Sequence, residues 1–349
     1  MTNSIIDNFP SKLHLEHIRR LTNQVGILQH AKFSLPNYHH GYCLDDNARA
    51  LQLTILAKSK YKTNEYDDLI DTYLAYIMYV QNTDGSFKNF ISFENCFLDE
   101  KGSDDSFGRA IMALGIVLQH DDRSYIIRIV NDILDKSYDR LLESDSLRAN
   151  AYILCGLHAI YNSGRYSKNI TSKIAYLVKF IVHEYEQTTY SDWCWFEKKI
   201  TYDNALIPYA LLLSSEIIND NNCNEIAISS TLFLDQLLFK NGHLGLIGND
   251  GWYSNIGLLS NCGQQPIEIP SLILLYKKME ELNPKIKLEG SAQKSYEWFF
   301  GNNNIKLSLY DKETKGCADG IEHNSINYNQ GAESTMSLWQ SYLYINHVI

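Results

Sequence analysis

Two kinds of helical pattern alternate along the chain. In the segments 15–28, 69–80 and four later ones, apolar residues recur every three or four positions on one face only, which is typical of a helix on a protein surface. The segments that follow them, such as 48–57 and 107–118, are apolar nearly all round and predict buried helices. The alternation predicts about twelve helices, arranged as six hairpins that each have an outer and an inner helix.

A short polar phrase precedes most of the buried segments. The phrases are centred at intervals of about 60 residues, with one doubled step, on Asp46, Asp105, Asp203, Gln265 and Gln330. The doubled step leaves room for a further inner helix that starts at 146–150 without an acidic residue. Carboxylates favour helix starts because they accept hydrogen bonds from the free N–H groups of the first turn. Asp45, Asp104 and Asp203 therefore have a simpler interpretation, as helix caps and nothing more.

The two kinds of connection between helices differ in length and composition. Connections from an inner to an outer helix are short, whereas those from an outer to an inner helix are long and rich in glycine, asparagine and aromatic residues, as in 81–103, 187–202, 241–263 and 301–329. The long loops and the inner-helix N-termini therefore share one face, where a rigid scaffold usually carries its binding site. The sequence predicts an all-α, (α/α)6 toroid of six helical hairpins in a single domain, 1–349. Strand signals near 87–93 and 243–247 predict local hairpins in these loops.

Composition narrows the class of protein. With 45% hydrophobic and 21% charged residues the chain suits a globular protein with a large core, and its net charge of -10 disfavours nucleic acid and anionic membranes as partners. No basic and apolar leader or run of about 20 apolar residues is present, so we expect a cytoplasmic protein. Seven cysteines without a C-x-x-C pair indicate reduced thiols. The pair His39–His40 lacks a third ligand at zinc spacing, so we predict neither a metal nor a cofactor.

The predicted face collects carboxylates and aromatic rings, which is the combination that a sugar site needs. Carboxylates of opposite or next-but-one inner helices can reach the spacing of about 6.5–9.5 Å that an inverting glycosidase uses. The candidate catalytic residues are the acids at the helix starts: Asp46, Asp105, Asp203, Glu268 and Glu333. The candidate substrate-binding residues are polar or aromatic and lie in the same loops and helix starts: His40, Tyr42, Arg49, Arg109, Trp193, Trp195, Glu197, Tyr202, Asn204, Trp252, Tyr253, Gln264, Gln265, Asp319 and Gln330.

Sequence neighbours suggest different roles for these acids. Arg49 follows Asp46 by three residues and Arg109 follows Asp105 by four, both within side-chain reach on a helix. A guanidinium and a helix N-terminus favour the carboxylate form, so these two acids suit a base or a hydroxyl-binding role. Glu268 lies between two isoleucines, a setting that raises the pKa of a carboxyl group. We therefore rank the candidates for general acid in the order Glu268, Glu333 and Glu197.

The polar phrases also resemble those of known proteins. GYCLDDNARAL (41–51), SDDSFGRA (103–110), QQPIE (264–268) and NQGAES (329–334) resemble the six-hairpin carbohydrate-active proteins, and most closely a bacterial group found alone or fused to group 1 glycosyltransferases. The resemblance implies an oligosaccharide or polysaccharide substrate and a hydrolase, mostly of the inverting kind; epimerases and phosphorylases share the fold. A different class stays open, a non-catalytic glycan-binding or scaffold domain that serves a partner glycosyltransferase. The alternating strands and helices of a nucleotide-binding transferase domain are missing from this chain.

Overall fold

The computed structural model describes residues 9–257, 259–288 and 290–346, and these contain twelve α-helices. The six inner helices are α2 (Leu44–Tyr61), α4 (Asp104–His120), α6 (Leu147–Ser163), α8 (Leu206–Ile218), α10 (Glu268–Leu282) and α12 (Ala332–Asn346). The six outer helices are α1 (Glu16–Leu21), α3 (Asp67–Tyr79), α5 (Ser124–Ser137), α7 (Thr171–Thr188), α9 (Asn221–Leu238) and α11 (Ser291–Glu297).

The inner helices form a closed ring. Each contacts the next in the order α2, α4, α6, α8, α10 and α12, and α12 returns to α2. Inner helices are buried on nearly every side, so that almost every residue from Leu44 to Ala57 is inaccessible, whereas the outer helices keep a solvent-exposed face. The predicted (α/α)6 toroid is confirmed. Both predicted domain bounds, 1 and 349, lie outside the described residues.

Two outer helices are shorter than their apolar stripes suggest. Helix α1 ends at Leu21, because Thr22 and Ile27 pair as an isolated bridge instead of continuing the helix. Among the described residues of the stripe at 287–299, the helix covers Ser291–Glu297. None of the helices in the described residues combines the length and apolar character that a membrane span needs.

Helices α4 and α6 approach each other through glycines. A Cβ atom added to Gly115 would lie 2.3 Å from the carbonyl oxygen of Gly156, and one added to Gly108 would lie 2.7 Å from that of Ala149. Backbones can come this close only where no side chain intervenes. The result is that the N-terminal end of α6 lies directly beside that of α4.

Four two-stranded antiparallel ladders stabilise the long loops. They pair β1 (Ala31–Lys32) with β2 (Leu35–Pro36), β3 (Tyr42–Cys43) with β4 (Phe90–Ile91), β5 (Lys199–Ile200) with β6 (Tyr253–Ser254), and β7 (Gly320–Ile321) with β8 (Ile326–Asn327). The local pairing predicted near 87–93 is confirmed, since Ile91 pairs with Phe97 and Gln81 with Phe87 as isolated antiparallel bridges within one loop; β4 also pairs with β3 of another loop. The segment 243–247 forms no strand; its apolar side chains Leu244, Leu246 and Ile247 are buried in the core instead.

Candidate active site

A cavity of about 800 Å³ opens between the N-terminal ends of the inner helices and the long loops. Its wall contains eleven of the twenty predicted site residues, namely His40, Asp46, Arg49, Asp105, Arg109, Tyr202, Trp252, Gln264, Gln265, Asp319 and Glu333. These residues span almost 300 positions of the chain. Alternating helix direction brings them together, because every inner helix starts on the same face of the ring.

The acids at these helix starts do more than cap the helices. Helix α2 is capped by the sulfur of Cys43, and α4 and α6 are capped by the hydroxyls of Ser103 and Ser146. Asp45 and Asp104 lie in the first turns, after the caps. The interpretation of these aspartates as caps alone is therefore wrong, and their carboxylates are available for other contacts.

Arg49 joins two carboxylates of neighbouring inner helices. Its Nη1 lies 2.9 Å from Oδ1 of Asp46, and its Nη2 lies 2.9 Å from Oε2 of Glu333. The Arg49 and Asp46 side chains are less than a tenth exposed, whereas that of Glu333 is 39% exposed. The predicted contact between Arg49 and Asp46 is confirmed, and the third member of the group comes from the last inner helix.

Burial decides the protonation of Asp46. Its pKa rises to about 7 because desolvation disfavours the carboxylate, and the nearby charge of Glu333 acts in the same direction; Arg49 opposes both. The Cys43 thiol donates a hydrogen bond to Oδ2 at 3.1 Å. The expectation that a guanidinium and a helix N-terminus keep Asp46 ionised is therefore wrong. With a pKa of about 7 the group can donate or accept a proton near neutral pH.

The spacing on the helix predicted a contact between Arg109 and Asp105, and this prediction is wrong. Nε of Arg109 lies 3.1 Å from Oδ1 of Asp45, its Nη1 lies 3.8 Å from Oδ2 of Asp203, and its guanidinium covers the Tyr152 ring at 4.1 Å. Arg109 is therefore held by partners from α2, from the loop before α8 and from α6.

Asp105 has neutral partners instead. It accepts hydrogen bonds from the Ser146 hydroxyl at 3.0 Å and from the Tyr202 hydroxyl at 2.5 Å. The first of these is possible because the glycine contact between α4 and α6 brings their first turns together.

Arg148, which was not among the predicted site residues, lies behind the cavity wall and contacts Tyr202, which is part of that wall. It lies in the first turn of α6, the start without an acid, and is buried. Its Nη1 contacts Oε2 of Glu197 at 2.8 Å, its Nε donates to the Tyr202 carbonyl at 2.5 Å, and its guanidinium lies 4.7 Å from the Tyr202 ring. Arg148 is the second residue of its helix, whereas Arg49 and Arg109 are each the sixth residue of theirs, so the repeat of the polar phrases did not indicate it. Three successive inner helices thus each contribute a buried arginine.

Asp203 and Glu268 lie beneath the cavity wall. The backbone of Asp203 is left-handed (φ 45°), and its N–H donates to Oε1 of Glu268 at 2.7 Å; the Asn204 side chain donates to Oε2 at 3.1 Å. Burial and the charge of Asp203 raise the pKa of Glu268 to about 8. The expected rise is confirmed, but this acid lies outside the wall of the cavity and supports the start of α8.

A second, small cavity of about 40 Å³ lies below the first. Arg49, Arg109, Tyr152 and Asp203 line it. The Tyr152 hydroxyl donates to Oδ2 of Asp203, whereas Oδ1 of Asp203 is buried without a hydrogen-bond partner among the described residues.

The other predicted ligand residues lie outside the cavity wall: Tyr42, Trp193, Trp195, Glu197, Asn204, Tyr253 and Gln330. Trp195 is fully buried and Trp193 nearly so, with its Nε1 donating to the carbonyl of Glu197. The prediction that these indoles contact substrate is wrong, because large apolar rings gain more from burial than from exposure in a loop. Tyr42 is likewise buried, and its hydroxyl accepts from Asn23. Gln330 donates to Asp311 at 2.9 Å and is buried away from the cavity.

Trp252 is the indole that does reach the cavity. It is partly exposed and lies 6.3 Å from the Tyr202 ring, centre to centre. Its backbone is left-handed (φ 60°), a conformation that is unfavourable for a bulky residue. Backbone strain of this kind concentrates at functional sites, and here it presents a flat ring to the cavity.

Comparison with known proteins places the fold among carbohydrate-processing enzymes. No family model and no curated protein matches the chain. Among solved structures it resembles a sugar epimerase from a ruminal bacterium (TM-score 0.71, 12% identity, covering 100% of this chain and 97% of that one). It also resembles the cellobiose 2-epimerase of Bacillus thermoamylovorans B4167 (TM-score 0.72, 11% identity, covering 98% and 97%).

A third similar structure is a GH76A α-1,6-mannanase from Salegentibacter sp. HEL1_6, with a TM-score of 0.60, 12% identity, and coverage of 94% of this chain and 95% of that one. It is a variant described as inactive, in which two consecutive aspartates are asparagine, in complex with α-1,6-mannotriose. The structural neighbours are therefore (α/α)6-toroid enzymes that act on sugars. At these identities the likeness establishes the shared fold.

Proposed function

We propose that this protein is a glycoside hydrolase in which Asp46 and Glu333 form the acid/base pair. The observation that carries the proposal is that both carboxylates contact one guanidinium in the wall of a cavity of about 800 Å³. Their surroundings differ, since Asp46 is buried and Glu333 is 39% exposed. Two carboxyl groups with different surroundings are what glycosidic cleavage requires.

In this proposal protonated Asp46 donates its proton to the glycosidic oxygen as the bond to the anomeric carbon breaks. Glu333, held by Arg49, removes a proton from the water that attacks the anomeric carbon. Glu333 then releases this proton to solvent and Asp46 regains one, which restores both groups. One guanidinium holds the two carboxylates no more than about 8 Å apart, which includes the lower part of the ~6.5–9.5 Å range of inverting enzymes. This bound also includes the ~5–5.5 Å spacing of retaining enzymes, so the proposal of inversion rests on the resemblance to six-hairpin hydrolases, and the anomer released first, measured by NMR, tests it.

The aromatic surface beside the cavity supports an extended substrate. Phe90 of β4 is in the cavity wall, and beyond it the rings of Tyr38 and Phe93 stack at 4.5 Å with an interplanar angle of 24°. Tyr38 is 54% and Phe93 is 40% exposed. Exposed rings next to a polar cavity mark a binding surface, and flat rings suit the faces of sugars. The proposed substrate is therefore an oligosaccharide or polysaccharide, and the resemblance to transferase-fused domains favours a glycan that a glycosyltransferase makes.

Incubation with a panel of mannans, glucans and cell-envelope glycans, with detection of new reducing ends, tests the activity. We expect Asp46→Asn and Glu333→Gln each to lower the rate by about 10²–10⁴-fold while glycan binding persists. Asp104→Asn is the matched control, because Asp104 is also an acid in a first turn but lies outside the cavity wall, where it accepts from Ser144. Equal rates for the Asp46 and Asp104 variants would refute the assignment.

An epimerase is the second candidate. Two histidines, His30 and His40, line the cavity with their rings 4.6 Å apart, and imidazole is the usual carrier of a proton abstracted beside a carbonyl group. An epimerase would convert a disaccharide into its isomer without new reducing ends and would depend on His40 more than on Glu333. Glycan binding without any conversion would instead identify a non-catalytic binding domain.

A further inference from the structure

Three potential metal ligands from separate segments meet beside the cavity. They are a carboxylate oxygen of Asp250, the Sγ atom of Cys262 and a ring nitrogen of His323, and all three atoms lie within 4.8 Å of one another. Asp250 and His323 are exposed and Cys262 is partly exposed, so an ion could reach them from solvent. The three residues are 12 to 73 positions apart in the chain, so no short sequence spacing indicates the group.

The backbone fixes the segments that carry these side chains. The N–H of Asp250 donates to the carbonyl of Cys262 at 3.3 Å, and the N–H of Asn249 donates to that of Gly263 at 3.1 Å. The N–H of Gly263 in turn donates to the carbonyl of Ile321 at 3.0 Å, two residues before His323. The three segments therefore keep a defined relative position without an ion, which lowers the entropy lost on binding one.

Glycines allow the segments to approach this closely. A Cβ atom on Gly248 would lie 1.8 Å from the carbonyl oxygen of Cys262, and Gly263 adopts a left-handed φ of 77°. A side chain at either position would separate the loop of Asp250 from that of Cys262. The arrangement thus depends on residues that lie next to the ligands and contribute no donor themselves.

We propose that Asp250, Cys262 and His323 bind a Zn²⁺ ion. Thiolate, imidazole and carboxylate together favour zinc over the hard ions Mg²⁺ and Ca²⁺, which prefer oxygen ligands alone. A tetrahedral zinc ion holds its ligand atoms roughly 3.5 Å apart, so exposed side chains within 4.8 Å need only small rotations to bind it. Binding releases the thiol proton of Cys262 to solvent.

The fourth coordination position has a candidate ligand on the cavity side. Oε2 of Glu322 lies 3.9 Å from Sγ of Cys262, and Glu322 is part of the cavity wall. The cavity wall also contains Asn249 and Gly263, the neighbours of two of the ligands. The ion therefore lies at the rim of the candidate active site, where it adds positive charge to an acidic wall. Zinc binding by these residues does not depend on which reaction the cavity performs.

The test uses the full chain, reduced and freed of metal with a chelator, titrated with ZnCl₂ by calorimetry and with CoCl₂ by absorption spectroscopy. We expect one ion per chain, a thiolate-to-cobalt charge-transfer band, and affinity that increases with pH because a proton is released. Cys262→Ser should abolish the charge-transfer band. His323→Ala should weaken zinc binding by more than about 100-fold, because the loss of a direct ligand should exceed the ~10–100-fold effect of losing a hydrogen-bond partner of a ligand.

Cys96→Ser is the matched control, since Cys96 is also a free and exposed thiol but lies in the loop between β4 and α4. It should leave the stoichiometry, affinity and cobalt spectrum unchanged. If Cys262→Ser impairs folding, Asp250→Asn provides a second test, because its exposed side chain can be changed without removing the backbone hydrogen bond to Cys262. Absence of binding at micromolar zinc, or binding that survives both Asp250→Asn and His323→Ala, would overturn the proposal.

Discussion

Replacing Arg49 with methionine removes the cation that Asp46 and Glu333 share. Each ion pair is worth about 4 kcal/mol at about 4 Å and an effective dielectric constant of about 20. The pair with Glu333 contributes less than this because the carboxylate is 39% exposed and water replaces the guanidinium. Asp46 is buried, however, and the loss of one partner of a buried pair costs about 3–5 kcal/mol. Uptake of a proton by Asp46 limits this cost, because neutralising a group with a pKa of about 7 requires only about 1.4 kcal/mol at pH 8. We therefore expect the variant to lose about 1–2 kcal/mol of unfolding free energy at pH 8.

The loss should depend on pH. Burial raises the pKa of Asp46 from an ordinary value of 3.8 to about 7, so the folded state holds a proton that the unfolded state releases, and the associated stability is lost as pH rises through 7. Arg49 opposes this rise, so without it the pKa increases further and the loss extends to higher pH. At pH 5 Asp46 is protonated in both folded proteins and the cost of the substitution should be smaller.

Urea unfolding of both proteins, followed by circular dichroism between pH 5 and 8, measures this effect. Arg140→Met is the matched control, because Arg140 also contacts two carboxylates, Asp84 at 2.6 Å and Glu143 at 2.7 Å, but on the surface. Its substitution should cost about 1 kcal/mol or less. Adding Asp46→Asn to Arg49→Met should remove the part of the pH dependence that comes from Asp46, since the group that titrates is gone. A cost below about 1 kcal/mol at pH 8, or an equal cost at both pH values, would refute the reasoning.

Three further predictions concern other parts of the molecule. Because the pKa of Glu268 is raised from 4.5 to about 8, the stability of the wild-type protein should fall as pH rises through this range. The melting temperature of Glu268→Gln should fall less over the same range. Parallel plots of melting temperature against pH for the two proteins would contradict the raised pKa of Glu268. Gly115→Ala places a Cβ atom 2.3 Å from the carbonyl oxygen of Gly156. The substitution should lower the unfolding free energy, measured in urea, by about 1–3 kcal/mol, although alanine favours a helix over glycine by about 1 kcal/mol. A gain in stability would show that α4 and α6 can separate without cost. Tyr38→Ala combined with Phe93→Ala should raise KM several-fold for long oligosaccharides but not for disaccharides, and an equal effect on both lengths would place the exposed rings outside the substrate path.

The sequence alone determined the architecture. Residues 48–57 are apolar all round and 69–80 on one face only, and such periodicity is a local property that selects inner and outer helices before any contact forms. Because inner helices all run the same way through the ring, their starts must meet, and Asp46, Asp105 and Glu333 do line one cavity. The position of the site therefore followed from helix direction and loop length.

Tertiary structure decided which groups contact each other and which are buried away from water. Arg109 contacts Asp45 and Asp203 instead of Asp105, since the close packing of α4 on α6 gives Asp105 other partners. Trp195 is buried where its loop suggested exposure. An ion pair or a metal site depends on the distance between atoms far apart in the chain, and a pKa depends on the water removed by every surrounding element. No local pattern contains either quantity, so the protonation of Asp46 and the meeting of Cys262 with His323 appear only once the ring has closed.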